Sequence, residues 1–158
     1  MLFHVSVDAE DPKRVAGVIA ELWDGVALPF PPVIEGCWVA MAGDDRRTTV
    51  EVYPRGTELV EAEGDADGYG VIGVRNPRSA THLAVATNLG IEQVLAIAAR
   101  EGWPVKYRKR GGIFGVLELW AEGTRMIEVL TPEMQAEYHA GLTVENWQGF
   151  LKAVGVVA

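Results

Sequence analysis

The chain is nearly free of cysteine, since Cys37 is the single one among its 158 residues. One thiol excludes an internal disulfide and fits a reducing compartment, so we expect a cytoplasmic protein. Positive charge is also scarce, with 14 Lys and Arg against 22 Asp and Glu and a formal net charge of −8. Nucleic acids and anionic membranes bind clustered Lys and Arg, so this charge balance argues against both partners.

Long apolar runs are missing as well. No run approaches the roughly 18 residues that a membrane span requires. The first residues lack a basic region followed by an apolar segment, so we expect no signal peptide. Hydrophobic residues nevertheless make up 49% of the chain, which is enough to bury a core. The length suits one domain or two small fused modules.

The chain does contain an internal repeat. Residues 2–25 read LFHVSVDAEDPKRVAGVIAELWDG, and residues 81–102 read THLAVATNLGIEQVLAIAAREG. In each copy a short strand with one His near its start precedes a helix with an apolar stripe. Three further strands follow each helix, so the repeat predicts the order βαβββ twice.

This order predicts an α+β fold of two βαβββ modules, each a small curved sheet with one helix on its outer face. Side by side, the two mixed sheets would form a cup lined by the strand faces that point away from the helices. We expect the first module at residues 1–55. An acidic, Gly-rich connector follows at 56–79, with one short strand at 69–74. The second module follows at 80–131, and C-terminal helices extend it at 132–158, all within one structural domain.

Apolar and polar residues alternate in the first and last strands of each module, and the apolar set must face the helix. His4 and Glu51 then face the cup in the first module, and His82 and Glu128 face it in the second. The His-to-Glu spacing is 47 residues in the first module and 46 in the second. Because the first and last strands of such a module are expected to be neighbours, the two pairs should meet at the floor of the cup.

Two imidazoles and two carboxylates converging in a cup suit a divalent metal ion with open coordination positions. A dication also offsets the cost of burying two carboxylates side by side. A single strand His is usually structural, but a Glu between β-branched residues is disfavoured in a strand and here occurs twice. The four placements therefore predict a metal site, and a cup that keeps these residues without a metal is the alternative.

The duplicated order and the segments FHVSV, TTVEVY, THLAVA and MIEVL resemble the vicinal oxygen chelate superfamily. This superfamily includes glyoxalase I, methylmalonyl-CoA epimerase, extradiol dioxygenases and bleomycin or fosfomycin resistance proteins. The resemblance covers residues 2–131 and implies a glyoxalase-like fold, a homodimer and a divalent Ni, Zn, Mn or Fe ion held by His4, Glu51, His82 and Glu128. The segment AEGTRMIEV replaces the usual DPxG-type sequence, and Asp8 stands where glutathione-binding members often carry Arg, which argues against glutathione as cosubstrate.

The implied activity is isomerase or lyase chemistry on a small substrate with two neighbouring oxygens. The metal would act as a Lewis acid, and Glu51 or Glu128 would act as the base. One alternative is a metal-free protein that sequesters a flat small molecule in a cavity lined by aromatic side chains such as Trp38, Tyr53 and Trp120. Another is an extradiol-type dioxygenase with ferrous iron, against which the fourth ligand argues, since those enzymes would use two His and one Glu.

Overall fold

The structure, a computed structural model, describes residues 3–76 and 80–155. The first module comprises β1 (His4–Ala9), α1 (Pro12–Leu22), β2 (Val26–Pro29), β3 (Trp38–Met41) and β4 (Thr49–Pro54). A hairpin follows, formed by β5 (Thr57–Val60) and β6 (Tyr69–Ile72). The second module comprises β7 (Leu83–Ala86), α2 (Ile91–Glu101), β8 (Val105–Arg110), β9 (Phe114–Ala121) and β10 (Arg125–Leu130). The C-terminal helices are α3 (Pro132–Gly141) and α4 (Val144–Ala153).

Both modules build a four-stranded sheet with the same strand order, β1-β4-β3-β2 in the first and β7-β10-β9-β8 in the second. The first and last strands of each module pair in parallel, and the other neighbours are antiparallel. The predicted α+β fold of two βαβββ modules in an open, cup-like arrangement is therefore confirmed. The charged strand β8 lies at a sheet edge, where its Lys and Arg side chains discourage pairing with other chains.

The segment between the modules differs from the expectation of one short strand. It contains a two-stranded antiparallel hairpin in which Thr57 pairs with Ile72 and Val60 with Tyr69. The strand β5 (TELV) was missed because its apolar residues are adjacent and do not alternate, so no periodic signal marks it.

Local sequence explains where the first helix begins and ends. The side chain of Asp11 accepts a hydrogen bond of 3.0 Å from the backbone N–H of Arg14, and Pro12 occupies the first turn. The helix ends just before Gly25, where a Cβ would lie 2.1 Å from the carbonyl oxygen of Met41. Only glycine lets the chain leave α1 this close to β3.

One hydrophobic core joins both modules, because the apolar stripes of α1 and α2 pack with the helix-facing sides of both sheets. Burying each large aliphatic side chain contributes roughly 1.5–3 kcal/mol. The largest fully buried aliphatic side chains of this core are Val15, Ile19, Leu22, Val52, Val94, Val116, Leu117, Leu119, Ile127 and Val129. This burial fixes the orientation of the strands, so that the residues alternating with the core positions, including Glu51 and Glu128, lie on the opposite sheet faces.

A buried arginine joins the modules by polar contacts. Arg55 follows β4, and its side chain is only 1% exposed. Its guanidinium lies 3.2 Å from the carboxylate of Asp8 and 3.3 Å from that of Glu10 in the first module. It also reaches the second module, at 3.1 Å from Glu122 and 2.9 Å from the hydroxyl of Thr124. Arg55 therefore ties the end of β4 to the turn between β9 and β10.

The second module also binds both ends of helix α1. At its start, the carboxylate of Glu122 accepts hydrogen bonds of 2.7 Å from the backbone N–H groups of Glu10 and Asp11. At its end, the hydroxyl of Thr87 donates to the carbonyl oxygen of Leu22 at 2.5 Å. Helix termini leave such groups without partners inside the helix, so contacts from the other module satisfy them.

The two C-terminal helices differ in how they pack. Helix α3 lies against β9, where the rings of Tyr138 and Phe114 meet edge-on with centroids 4.8 Å apart. Helix α4 contains no buried residue, and its Trp147 and Phe150 rings contact each other at the surface. Within residues 3–76 and 80–155, no helix is long and apolar enough to cross a membrane.

Candidate metal centre

The first module brings His4 next to Glu51. Strands β1 and β4 pair in parallel with Ser6 opposite Glu51, so His4 lies diagonally across from the carboxylate. The Nε2 atom of His4 is 3.9 Å from Oε1 of Glu51. Metal–ligand bonds to imidazole nitrogen and carboxylate oxygen are about 2.1 Å long, so two ligands of one ion can lie up to about 4.2 Å apart. This pair can therefore share one divalent ion.

Two hydroxyl groups fix the orientation of Glu51. Its Oε2 atom accepts a hydrogen bond of 2.6 Å from the phenol of Tyr53 and one of 3.1 Å from Ser6. Burial, together with the hydrogen bond to Glu51, raises the pKa of Tyr53 to about 12, so the phenol stays protonated and continues to donate near neutral pH. With Oε2 held in this way, Oε1 is left facing His4, whose side chain is 57% exposed.

Cys37 lies buried near Glu51. Burial is the main cause that raises the pKa of its thiol to about 11, and the nearby Glu51 carboxylate adds to the effect. A hydrogen bond with the backbone of Ile34 acts in the opposite direction. The thiol therefore stays protonated near neutral pH.

In the second module, no ion pair joins His82 to Glu128 among the described residues, although the strand register matches that of His4 and Glu51. The sequence predicted a strand from Thr81, but β7 begins two residues later, at Leu83, so His82 lies just before the strand. In the parallel pairing of β7 with β10, Glu128 lies opposite Ala84. The Nδ1 atom of His82 is 3.0 Å from the carbonyl oxygen of Ala80.

The two histidines do share one cavity. His4 and His82 both line a space of about 240 Å³ between the start of β1 and the start of β7. Trp23, just after α1, forms another part of its wall. Glu51 and Glu128 are outside the lining of this cavity, so the convergence of all four predicted ligands stays a prediction.

Glu128 instead belongs to a cluster of charges on the second sheet. It lies directly opposite Glu118 in the pairing of β10 with β9, and both carboxylates are mostly buried. Arg110 lies between them, with Nε donating to Oε1 of Glu128 at 2.9 Å and Nη2 lying 2.7 Å from Oε1 of Glu118. The hydrogen bond to Glu128 is the main cause that raises the pKa of Arg110. On its other side, Glu118 lies 3.5 Å from Nε of Arg108.

Sequence reasoning missed Glu118 and Arg110 as members of this site. A signal was present, because Arg108 and Arg110 alternate in the segment KYRKR and Glu118 interrupts the apolar run of the next strand. Like charges directly opposite in neighbouring strands repel, so the second carboxylate required a nearby cation.

Three of the four predicted ligands can be judged by their contacts, and they differ in how well they fit a metal ion. The imidazole of His4 and the carboxylate of Glu51 fit a divalent ion in chemistry and in spacing. Glu128 differs because Arg110 already donates to its Oε1, so only Oε2 is left to bind a cation. Across the described ranges 3–76 and 80–155, no group of three or more His, Cys, Asp or Glu side chains lies close enough to hold a metal ion.

Neither a family model nor a curated protein matches the sequence. Among solved structures, the chain is similar to the fosfomycin resistance protein FosX from Mesorhizobium loti, with a TM-score of 0.51 and 14% identity over 86% of this chain and 95% of that one. It is similar to lactoylglutathione lyase from Agrobacterium tumefaciens, with a TM-score of 0.53 and 11% identity over 82% and 91% of the two chains. A mutant FosX from Listeria monocytogenes, complexed with Mn(II) and 1S,2S-dihydroxypropylphosphonic acid, gives a TM-score of 0.56 and 8% identity over 89% and 96%. These likenesses establish the fold.

Proposed function

We propose that this chain, whose fold is that of the vicinal oxygen chelate superfamily, is a metal-dependent enzyme of the glyoxalase type. Its reaction would be an isomerisation or a lyase reaction on a small substrate with two neighbouring oxygens. The observation that carries the proposal is the His4–Glu51 pair, whose donor atoms are 3.9 Å apart. The hydrogen bonds from Tyr53 and Ser6 support it, because oriented carboxylates are typical of metal ligands.

We propose that His82 and Glu128 complete the site in a homodimer, so that the second module of one copy faces the first module of another. Two observations support this arrangement. In the described part of one chain no three suitable donors converge, and the repeated modules carry matching His and Glu residues. A two-fold dimer would bring such matching sets together twice. The ion would be divalent Mn, Zn, Ni or Fe.

When bound, the metal supplies Lewis-acid chemistry, which polarises the two substrate oxygens and stabilises the charge that develops as a proton leaves the adjacent carbon. Glu51 is the better placed of the two candidate bases. Its Oε2 is held by Tyr53 and Ser6, so Oε1 is the atom that would take the proton, and it could do so only when it is not bound to the metal. Glu128 is the other candidate, but Arg110 holds it in place.

Metal content and metal affinity test the proposal directly. We expect purified protein to contain about one divalent ion per chain, measured by elemental analysis, and metal-free protein to rebind Mn²⁺ with that stoichiometry. His4→Ala and Glu51→Gln should each weaken Mn²⁺ binding by at least about tenfold, because each removes a ligand. His139→Ala is the matched control, since His139 is exposed on α3 and should bind Mn²⁺ like the wild type. If the His4→Ala, Glu51→Gln double variant bound Mn²⁺ as the wild type does, the site would be refuted.

The second candidate is a metal-free protein that binds small molecules. The contact between Arg110 and Glu128 favours it, because a guanidinium can replace a metal ion as the counter-charge of a carboxylate. This candidate predicts that purified protein contains no metal and that neither Mn²⁺ nor Zn²⁺ raises its melting temperature. A rise in melting temperature that is lost in Glu51→Gln would reject it.

A further inference from the structure

The face of the first sheet that points away from α1, called the cup face below, is polar on one side and apolar on the other. Residues that alternate with its members along β1 to β4 pack into the core, which fixes the side that the members occupy. The strand register aligns the members in two rows across the sheet. The rows are Val26, Met41, Thr49 and His4, and Leu28, Val39, Glu51 and Ser6.

The apolar side of the cup face is open to solvent. Val26 is 56% exposed, Leu28 46% and Met41 38%. Val39 lies directly opposite Glu51 on one side and Leu28 on the other, so the apolar surface begins beside the candidate carboxylate. Neighbouring strands are about 4.8 Å apart, so the surface extends about 10 Å from Glu51 to Leu28 across the sheet.

Positive charge is absent from this surface. Strands β1 to β4, which the structure describes in full, contain no Lys or Arg, and their carboxylates are Asp8 and Glu51. Asp8 already pairs with the buried Arg55 and Arg125. An anionic group would therefore find no cation beside Val39 and its neighbours, whereas an uncharged apolar group would be stabilised by leaving water.

We propose that the apolar side of the cup face is a subsite for an uncharged apolar substituent of the substrate. The two neighbouring oxygens of the substrate lie at His4 and Glu51, and the substituent extends over Val39 towards Leu28. It is an alkyl or aryl group of about four to eight carbon atoms, because it spans about 5–10 Å. The inference rests on the proposed function, which places the substrate oxygens at His4 and Glu51.

The size of the patch favours a small molecule over a second copy of the chain. Three partly exposed side chains offer far less than the about 800 Å² that each partner buries in a standard protein interface. The patch is also continuous with the His4–Glu51 pair through the two rows, so one small molecule can contact both.

A series of straight-chain hydroxamates tests the subsite, because each member carries the same two neighbouring oxygens and only the acyl tail varies. Calorimetric titration of the protein with Mn²⁺ present should show affinity rising about twofold per methylene from acetohydroxamate to hexanohydroxamate, since a half-exposed surface recovers part of the effect of full burial. The same series without Mn²⁺ separates the contribution of the tail from that of the metal.

Substitutions at the far end of the two rows locate the tail. Leu28→Gln and Met41→Gln should each reduce the rise along the series, and the double variant should bind hexanohydroxamate at most about twofold more tightly than acetohydroxamate. Its affinity for acetohydroxamate should equal that of the wild type. Leu142→Gln is the matched control, because Leu142 follows α3, is 39% exposed and should leave the whole series unchanged.

The outcomes separate this inference from the proposed function. If affinity is constant along the series, or if the double variant keeps the wild-type rise, the inference is wrong while the metal enzyme stands. If the rise depends on Leu28 and Met41 but Mn²⁺ has no effect, the subsite stands and the metal enzyme is rejected. If no hydroxamate binds under either condition, both are wrong.

Two further measurements keep the result interpretable. Circular dichroism checks folding, and if the double variant does not fold, the two single variants decide. Analytical ultracentrifugation tests the competing occupant of the patch. A fall in molecular mass in the double variant, with the rise along the series retained, would show an interface between copies and overturn the inference.

Discussion

Replacing the buried Arg55 by Met should destabilise the protein strongly, because this side chain links the two modules. The substitution keeps most of the aliphatic volume and removes ionic contacts at 3.1–3.3 Å with Asp8, Glu10 and Glu122. It also removes the hydrogen bond to Thr124. The carboxylates that remain would then face each other with less compensating charge.

The loss in the free energy of unfolding depends on the contacts that each carboxylate partner of Arg55 retains. Removing one member of a fully buried ion pair costs about 3–5 kcal/mol. The partners here are less buried than Arg55, and Glu122 keeps its two backbone N–H donors, while Asp8 keeps its bond to Arg125. We therefore expect a loss of about 2–3 kcal/mol in the free energy of unfolding. For a domain of this size, that corresponds to a fall of about 5–10 °C in melting temperature.

Urea unfolding followed by tryptophan fluorescence measures this loss, and a thermal scan provides an independent value. The control is Arg75→Met, because Arg75 also bonds to Glu10 but its side chain is 62% exposed. Exposed pairs contribute little, so Arg75→Met should cost less than about 0.5 kcal/mol. A loss below about 1 kcal/mol for Arg55→Met, or equal losses for both variants, would refute the role assigned to Arg55.

Three further outcomes are expected. Cys37 should react with thiol reagents at pH 8 only after unfolding, because the residue is 2% exposed and burial raises its pKa to about 11; rapid labelling of native protein would contradict this. Gly25→Ala should cost more than about 2 kcal/mol, because its Cβ would collide with the Met41 carbonyl. Gly17→Ala should instead stabilise the protein by about 0.5–1 kcal/mol, because Gly17 lies within α1 and its Cβ would meet no other atom; the midpoints of urea unfolding measure both changes. Glu101→Gln should lower stability more at pH 7 than at pH 3, because its arginine partners lower the pKa of this carboxyl. Its contribution is therefore fully present above the ordinary carboxyl range and decreases as the pH falls; equal losses at both pH values would oppose this.

Alternation along the strands was enough to predict most of the fold. It reports which side chains share a sheet face, and this placed His4 and Glu51 on one face before their contact was known. It does not report where hydrogen bonding stops, so the strand containing His82 was predicted to begin too early. The pairing of β5 with β6 was missed because the segment TELV has no alternation.

Contacts that depend on several strands at once could not be predicted from the sequence. The meeting of Arg110 with Glu118 and Glu128 requires the register of β8 on β9 and of β9 on β10, and a shift of one residue would move each side chain to the other face. Arg55 is the last residue of the predicted first module, where no periodic pattern indicates that a side chain is buried. Its partner Glu122 lies 67 residues away in sequence and belongs to the second module, so the contact depends on how the two modules pack.

The polar contacts at the two ends of α1 bear on how the two repeated halves depend on each other and on how they behave when produced separately. The two repeated halves have the same order of strands and helix, but they are not independent. Glu122 and Thr87 of the second half form hydrogen bonds with the backbone at the two ends of α1 in the first half. The halves have thus become complementary parts. Residues 1–76 produced alone would lack partners for groups at both helix ends, whereas mixing them with residues 80–158 should restore the native circular dichroism spectrum.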